Sequence, residues 1–142
     1  EKYMGFPQKE WLVYFYEASG HNRSISFFKK GYKHCGALGY CVEKDVWIMQ
    51  EFIYGKYNVE ILEGKDVDTI FRFIKKVKGK VLKGTMREDV KLGLPRLFSS
   101  WIKEHSCVSY VQRLLGMTYF WIFTPYQLFC ALKKQKFYEI QL

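Results

Sequence analysis

The sequence predicts an α+β domain built on an antiparallel sheet packed against helices. Three observations point there. Aromatic and β-branched runs follow one another closely in the first half of the chain, spaced as hairpins. A strongly amphipathic segment follows them. Two segments with complete helix start signals close the chain. Strands first and helices gathered later is the α+β order.

Trp11 to Ala18 is aromatic-rich and predicts a strand, and Ser19 to Ser24 a polar loop. Ile25 to Phe28 fits a short strand or a helical turn. Lys33 to Val42 predicts a central strand whose faces differ. His34, Gly36, Leu38, Tyr40 and Val42 point one way, and Cys35, Ala37, Gly39 and Cys41 the other. The second face is uniformly small, so another layer can approach it closely. Val46 to Tyr54 and Tyr57 to Leu62 are the next strands, with Gly55-Lys56 as the hairpin turn.

Asp66 to Val77 predicts a helix, capped by Asp66, with Val67, Ile70, Phe71, Ile74 and Val77 as its apolar stripe and Gly79 as its stop. Lys80 to Arg87 fits a further strand, and Leu97 to Ile102 is helical or extended. Ser106 is positioned as the N-cap of a helix from Cys107 to Leu115, ended by Gly116. Tyr119 to Phe123 predicts a short strand. Thr124 caps a last helix, with Pro125 at its first position, running to about Lys134.

The chain has 142 residues, which suits one domain over residues 1–142. With 49% apolar and 19% aromatic residues, it has the material for a real core and is not composed like a disordered chain. No apolar run approaches the ~20 residues a membrane-spanning helix needs, so no transmembrane segment is expected. The first residue is Glu1, which reads as a processed or trimmed chain. The net charge of +9 favours an anionic partner, although lysines in short clusters such as Lys75 to Lys80 also read as solvated surface. No nucleic-acid motif accompanies them, which makes nucleic acid the lesser expectation.

The four cysteines, Cys35, Cys41, Cys107 and Cys130, have no metal-ligand spacing and no dense pattern. They read as reduced thiols, and no metal or cofactor is expected. Cys107 stands apart because it follows a capping serine. Unpaired amides and the dipole at a helix start favour a thiolate and an oxyanion. The competing reading is an ordinary buried cysteine. A thiol nucleophile needs a base. Of His21, His34 and His105, His34 is the best placed, at the start of a rigid strand. The next strand holds Gln50 and Glu51 within an apolar run, WIMQEFI. Either can orient the imidazole, depending on the register.

His34 in Lys33-His34-Cys35-Gly36-Ala37-Leu38, a polar residue on the next strand, the helix opening Ser106-Cys107-Val108-Ser109-Tyr110-Val111 and the segment Thr124-Pro125-Tyr126-Gln127-Leu128-Phe129 occur in this order. The arrangement resembles the permuted papain-like enzymes of the NlpC/P60 superfamily, in which the histidine precedes the cysteine. Small phage proteins carry similar segments. The similarity spans roughly residues 33–132. Cys35 before Gly36 departs from the usual His-hydrophobic-Gly pattern.

The resemblance implies a single permuted papain-like domain and a cysteine hydrolase or acyltransferase acting on amide or ester bonds. Cys107 is then the nucleophile, His34 the base, and Glu51 or Gln50 the orienting group. It implies a cell-wall peptide or other anionic polymer as substrate, and a virion or the bacterial cell envelope as location. The competing function is a non-catalytic virion or interaction protein that keeps the fold, with Phe98 to Ile102 as a candidate contact segment for a protein partner.

Overall fold

The computed structural model describes residues 10–17, 29–53, 55–85, 106–117, 119 and 121–142. Among these the chain forms six strands and three helices. The strands are β1 (Glu10–Tyr16), β2 (His34–Cys41), β3 (Val46–Ile53), β4 (Lys56–Leu62), β5 (Lys80–Thr85) and β6 (Tyr138–Glu139). The helices are α1 (Gly64–Lys76), α2 (Cys107–Leu114) and α3 (Pro125–Lys134). The segments around 25–28 and 97–102, with His21 and His105, lie outside the described residues.

The strands make one antiparallel sheet in the order β4-β3-β2-β1-β5-β6. The fold is α+β, as the sequence predicts. The central position of β1 explains its composition. Trp11 to Phe15 are all buried, because alternate residues enter two different cores. Trp11, Val13 and Phe15 join Cys35, Ala37 and Leu82 beneath α2 and α3, which contribute Val108, Val111, Leu128 and Leu132. Leu12 and Tyr14 join Leu38, Met49 and Val81 beneath α1, which contributes Val67 and Ile74. A strand covered on both sides reads as a continuous apolar run. The small face of β2 lets α2 lie close, with Cys35 and Ala37 completely buried under it.

The ends of the elements follow local chemistry. Gly55 (φ 74°) turns the β3–β4 hairpin, and Gly116 (φ 70°) closes the turn after α2. α3 begins as expected: Thr124 Oγ1 accepts from the Gln127 amide and Pro125 occupies the first helical position.

Three expectations need correction. Asp66 is not the cap of α1. Glu63 holds that position, and the Asp66 carboxylate reaches back to accept from the Glu63 amide at 3.0 Å. Gly79 does not make the left-handed turn after α1; Lys78 does (φ 57°). Nor do the described residues of 119–123 form a strand. The buried Gln112 side chain holds them as a loop instead, accepting from the Tyr119 amide at 3.2 Å and donating to the Ile122 carbonyl at 3.1 Å. One amide thus supplies backbone partners that a strand neighbour would otherwise supply. Strand β6, which the sequence reading lacks, pairs its two residues with β5 at the sheet edge.

Phe15 is fully buried and meets Phe129 edge-on at 5.4 Å, tying the sheet to α3. Phe15→Ala is expected to lower unfolding free energy by ~3–5 kcal/mol in urea titrations. Val42→Ala, at a residue 70% exposed, is expected to stay within ~0.5 kcal/mol. Equal effects at the two positions would contradict the packing described.

Candidate active site

Strand alternation sends His34 and Cys35 to opposite faces of β2, so histidine and the α2 cysteine begin on opposite sides of the sheet. They nevertheless meet. The β2–β3 ladder runs from Cys41↔Val46 to Ala37↔Gln50 and ends there, leaving residues 34–36 of β2 beyond the paired register. α2 packs on the other face with its N-terminus at this end, where His34 bonds Glu51 and Cys107 lies close enough to set the charge of the ring.

Each group has a clear local origin. Ser106 caps α2, its Oγ accepting from the Ser109 amide at 3.1 Å, and its carbonyl takes the Tyr110 amide. The amides of Cys107 and Val108 are left at the open end of the helix. His34 is 5% exposed, with Tyr16 edge-on at 5.1 Å between ring centres. Its Nε2 lies 3.1 Å from Glu51 Oε2, so Nδ1 is the nitrogen left for the thiol.

The register settles which residue of the Gln50-Glu51 pair faces the ring. Ala37 pairs with Gln50, which places Glu51 level with Gly36 on the His34 face. Gln50 points to the opposite face, where its side-chain oxygen accepts from the Tyr110 hydroxyl at 3.4 Å. Gln50 is therefore corrected from a candidate orienting group to a contact between β3 and α2.

Glu51 is held in turn. The Tyr14 hydroxyl donates to Oε2 at 2.7 Å, and Asn58, the cross-strand partner of Glu51 on β4, lies beside the carboxylate. Tyr14 reaches Glu51 by lying across Gly36; a Cβ there would overlap its hydroxyl and ring. Tyr14, Asn58 and the need for glycine at 36 escape the sequence reading because all three depend on strand register. The glycine two residues after the histidine, on the same face, is the one signal that pointed to a close approach.

The charges favour a thiolate facing an imidazolium. The Cys107 thiol is held well below its ordinary value, first by a hydrogen bond from the Cys35 side chain, then by His34 and the Cys35 amide, against the opposing effect of burial. Burial would push the His34 imidazole down, but its hydrogen bonds to Cys107 and Glu51 outweigh that and raise it to about 9. Burial also opposes a charge on Glu51, yet bonds from His34 and Tyr14 hold its carboxyl below the usual range. Burial, and then the neighbouring Cys107, push the Cys35 thiol well up, so it remains a neutral donor. The Tyr14 phenol is likewise kept protonated by burial and by Glu51.

Cys41 and Cys130 are elsewhere, on the far end of β2 and on α3. No group of three or more His, Cys, Asp or Glu side chains able to hold a metal ion occurs among the described residues. The lysines are partly neutralised by Lys33–Glu17 (2.7 Å), Lys80–Glu139 (2.9 Å) and Lys83–Glu10 (2.6 Å). No helix among the described residues is long and apolar enough to cross a membrane.

Three outcomes are expected. Because Cys107 is lowered, alkylation by iodoacetamide should reach half its maximal rate well below the ~8.5 of a free thiol. His34→Ala removes the facing cation and should move that midpoint upward by a unit or more, as read by peptide mass spectrometry. Gly36→Ala displaces Tyr14 from Glu51 and should shift the same midpoint in the same direction by a smaller amount.

Comparison with known proteins found no matching family model, no similar curated protein and no similar solved structure.

Proposed function

We propose that this protein is a cysteine-dependent hydrolase or acyltransferase acting on amide or ester bonds, with Cys107 as nucleophile, His34 as acid and base, and Glu51 as the orienting carboxylate. The observation that carries this reading is that one imidazole lies 3.1 Å from the Glu51 carboxylate and shares its charge with the nearby thiol of Cys107. The order of the three residues, His34, then Glu51, then Cys107 at a helix start, supports a permuted papain-like arrangement similar to the NlpC/P60 superfamily.

The geometry supports a two-stage acyl transfer. The Cys107 thiolate attacks the carbonyl carbon, and the oxygen takes the negative charge. The Cys107 and Val108 amides at the head of α2 are placed to stabilise that oxyanion. His34 gives its proton to the leaving amine or alcohol as the carbonyl re-forms, leaving an acyl group on the sulfur as a thioester. Neutral His34 then takes a proton from water, or from an acceptor alcohol or amine, which attacks the thioester. Collapse of that second intermediate releases the acyl product and restores the thiolate and imidazolium. Glu51, fixed by Tyr14, keeps the ring aimed and stabilises its charged form.

The substrate class is the one that the resemblance to the NlpC/P60 superfamily implies, and the charge is compatible with it. A net charge of +9 suits an anionic polymer, and peptides of a bacterial cell wall satisfy both the bond type and the charge. That reading fits a virion or cell-envelope protein.

Acylation tests the proposal without knowledge of the natural substrate. Mixed with an activated p-nitrophenyl ester, the protein should release a burst of nitrophenol and carry the acyl group on Cys107. Cys107→Ala should abolish the burst, and Glu51→Gln should slow it by ~10²-fold or more. The step that protonates a poor leaving group should fail as pH rises through about 9, where His34 loses its proton. Acylation spread evenly over Cys41, Cys107 and Cys130 would sink the hydrolase reading and leave an interaction protein.

A further inference from the structure

Cys35 helps to hold the Cys107 charge but forms and breaks no bond in the acyl transfer, and its position calls for a further account. It is fully buried on the small face of β2, in the core cluster against which Cys107 packs, and its thiol bears directly on the charge of Cys107. Cys107 itself is only partly buried and packs against the core cluster to which Cys35 belongs. Cys107 is thus the more exposed of the two residues, and Cys35 is shielded within the core. A reactive thiolate with a neighbouring thiol is the arrangement that redox-sensing cysteines use.

We propose that Cys35 is the resolving thiol of Cys107, so that a peroxide converts the pair to a reversible Cys35–Cys107 disulfide that switches the site off. The proposal rests on the reading of Cys107 as a reactive thiolate and adds regulation to that same site. In the first step the Cys107 thiolate attacks one oxygen of the peroxide. The O–O bond breaks, the sulfur loses two electrons, and a sulfenic acid and hydroxide (or alkoxide) result, the latter taking its proton from the His34 imidazolium. In the second step Cys35 sulfur attacks Cys107 sulfur. The S–O bond breaks, and the oxygen leaves as water with the proton that Cys35 gives up.

The order of these steps is set by the surroundings. Cys35 is inaccessible and neutral, so it does not meet peroxide first. The negative charge on Cys107 helps to keep Cys35 protonated. Oxidation of Cys107 to the uncharged sulfenic acid removes that charge and makes the Cys35 thiol easier to deprotonate at the moment when it is needed. The two strands beside Cys35 do not have to part. α2 already lies on the Cys35 face of β2, with Cys107 packed against the cluster that holds Cys35.

The test uses the whole protein and reads thiol chemistry, not activity toward any substrate. Protein treated with hydrogen peroxide, then blocked and digested without reductant, is expected to yield the Cys35 and Cys107 peptides joined, lighter by ~2 Da than their sum. Dithiothreitol should restore both thiols and the alkylation rate of Cys107. In Cys35→Ala and Cys35→Ser, Cys107 should instead proceed to sulfinic acid, and reductant should no longer recover it. Circular dichroism checks that each variant folds, and the wild-type peptide map stands without them. Sulfinic acid on wild-type Cys107 beside an intact Cys35 thiol would overturn the resolving role, as would pairing of Cys107 with Cys41 or Cys130. If Cys107 reacts with neither peroxide nor iodoacetamide, the thiolate reading beneath both proposals fails instead.

Discussion

The arrangement depends on an imidazole held between two anions at the point where β2 stops pairing with β3. His34 and Cys107 approach from opposite faces, and a continuous ladder would keep them apart. The β2–β3 register ends at Ala37↔Gln50, which leaves the start of β2 free on that side and its Cys35 amide available to the thiolate. Burial alone would strip the charge from each partner. It does not, because each charge has a fixed counterpart. Glu51 is bonded by His34 and Tyr14, His34 by Glu51 and Cys107, and Cys107 by Cys35 and His34. Removing one member of such a chain leaves a buried charge uncompensated, which is why the members act as a unit.

The rest of the fold serves to keep that junction rigid. β1 lies at the centre of the sheet and is buried from both sides, so its position is fixed by two cores at once. It sends Tyr14 across Gly36 to Glu51 on one face and Phe15 into the α3 core on the other. α2 is seated through Val108 and Val111 against the small side chains of β2, which sets the height of Cys107 relative to His34. α3 and Gln112 hold the connection that follows α2. The catalytic candidates thus sit on a strand and a helix end, not on loops, and both supports are anchored in the same core.

What was legible in the sequence was local. Ser106 before Cys107 and Thr124-Pro125 before α3 announce helix starts because capping is settled within four residues. The alternation of β2 separates the His34 face from the Cys35 face without any knowledge of its neighbours. What was not legible was relational. The choice between Gln50 and Glu51 turns on a one-residue register, and the sequence carries no marker for it. Tyr14 looks like any strand tyrosine until Gly36 and Glu51 are aligned with it. The segment 119–123 has strand propensity, but a single buried amide from α2 holds Tyr119 and Ile122 in a loop. Asp66 has the chemistry of a cap and uses it one turn away, through a reciprocal bond to Glu63.

The central claim is that His34 is an imidazolium because Cys107 faces it as a thiolate. An NMR titration of the His34 ring, followed in the native protein and in Cys107→Ala, measures that coupling directly. The account predicts that His34 stays protonated to about pH 9 in the native protein and titrates clearly lower once the sulfur is gone. Titration near 6.5 in both proteins would mean that the two side chains do not share a charge, and the account would be wrong.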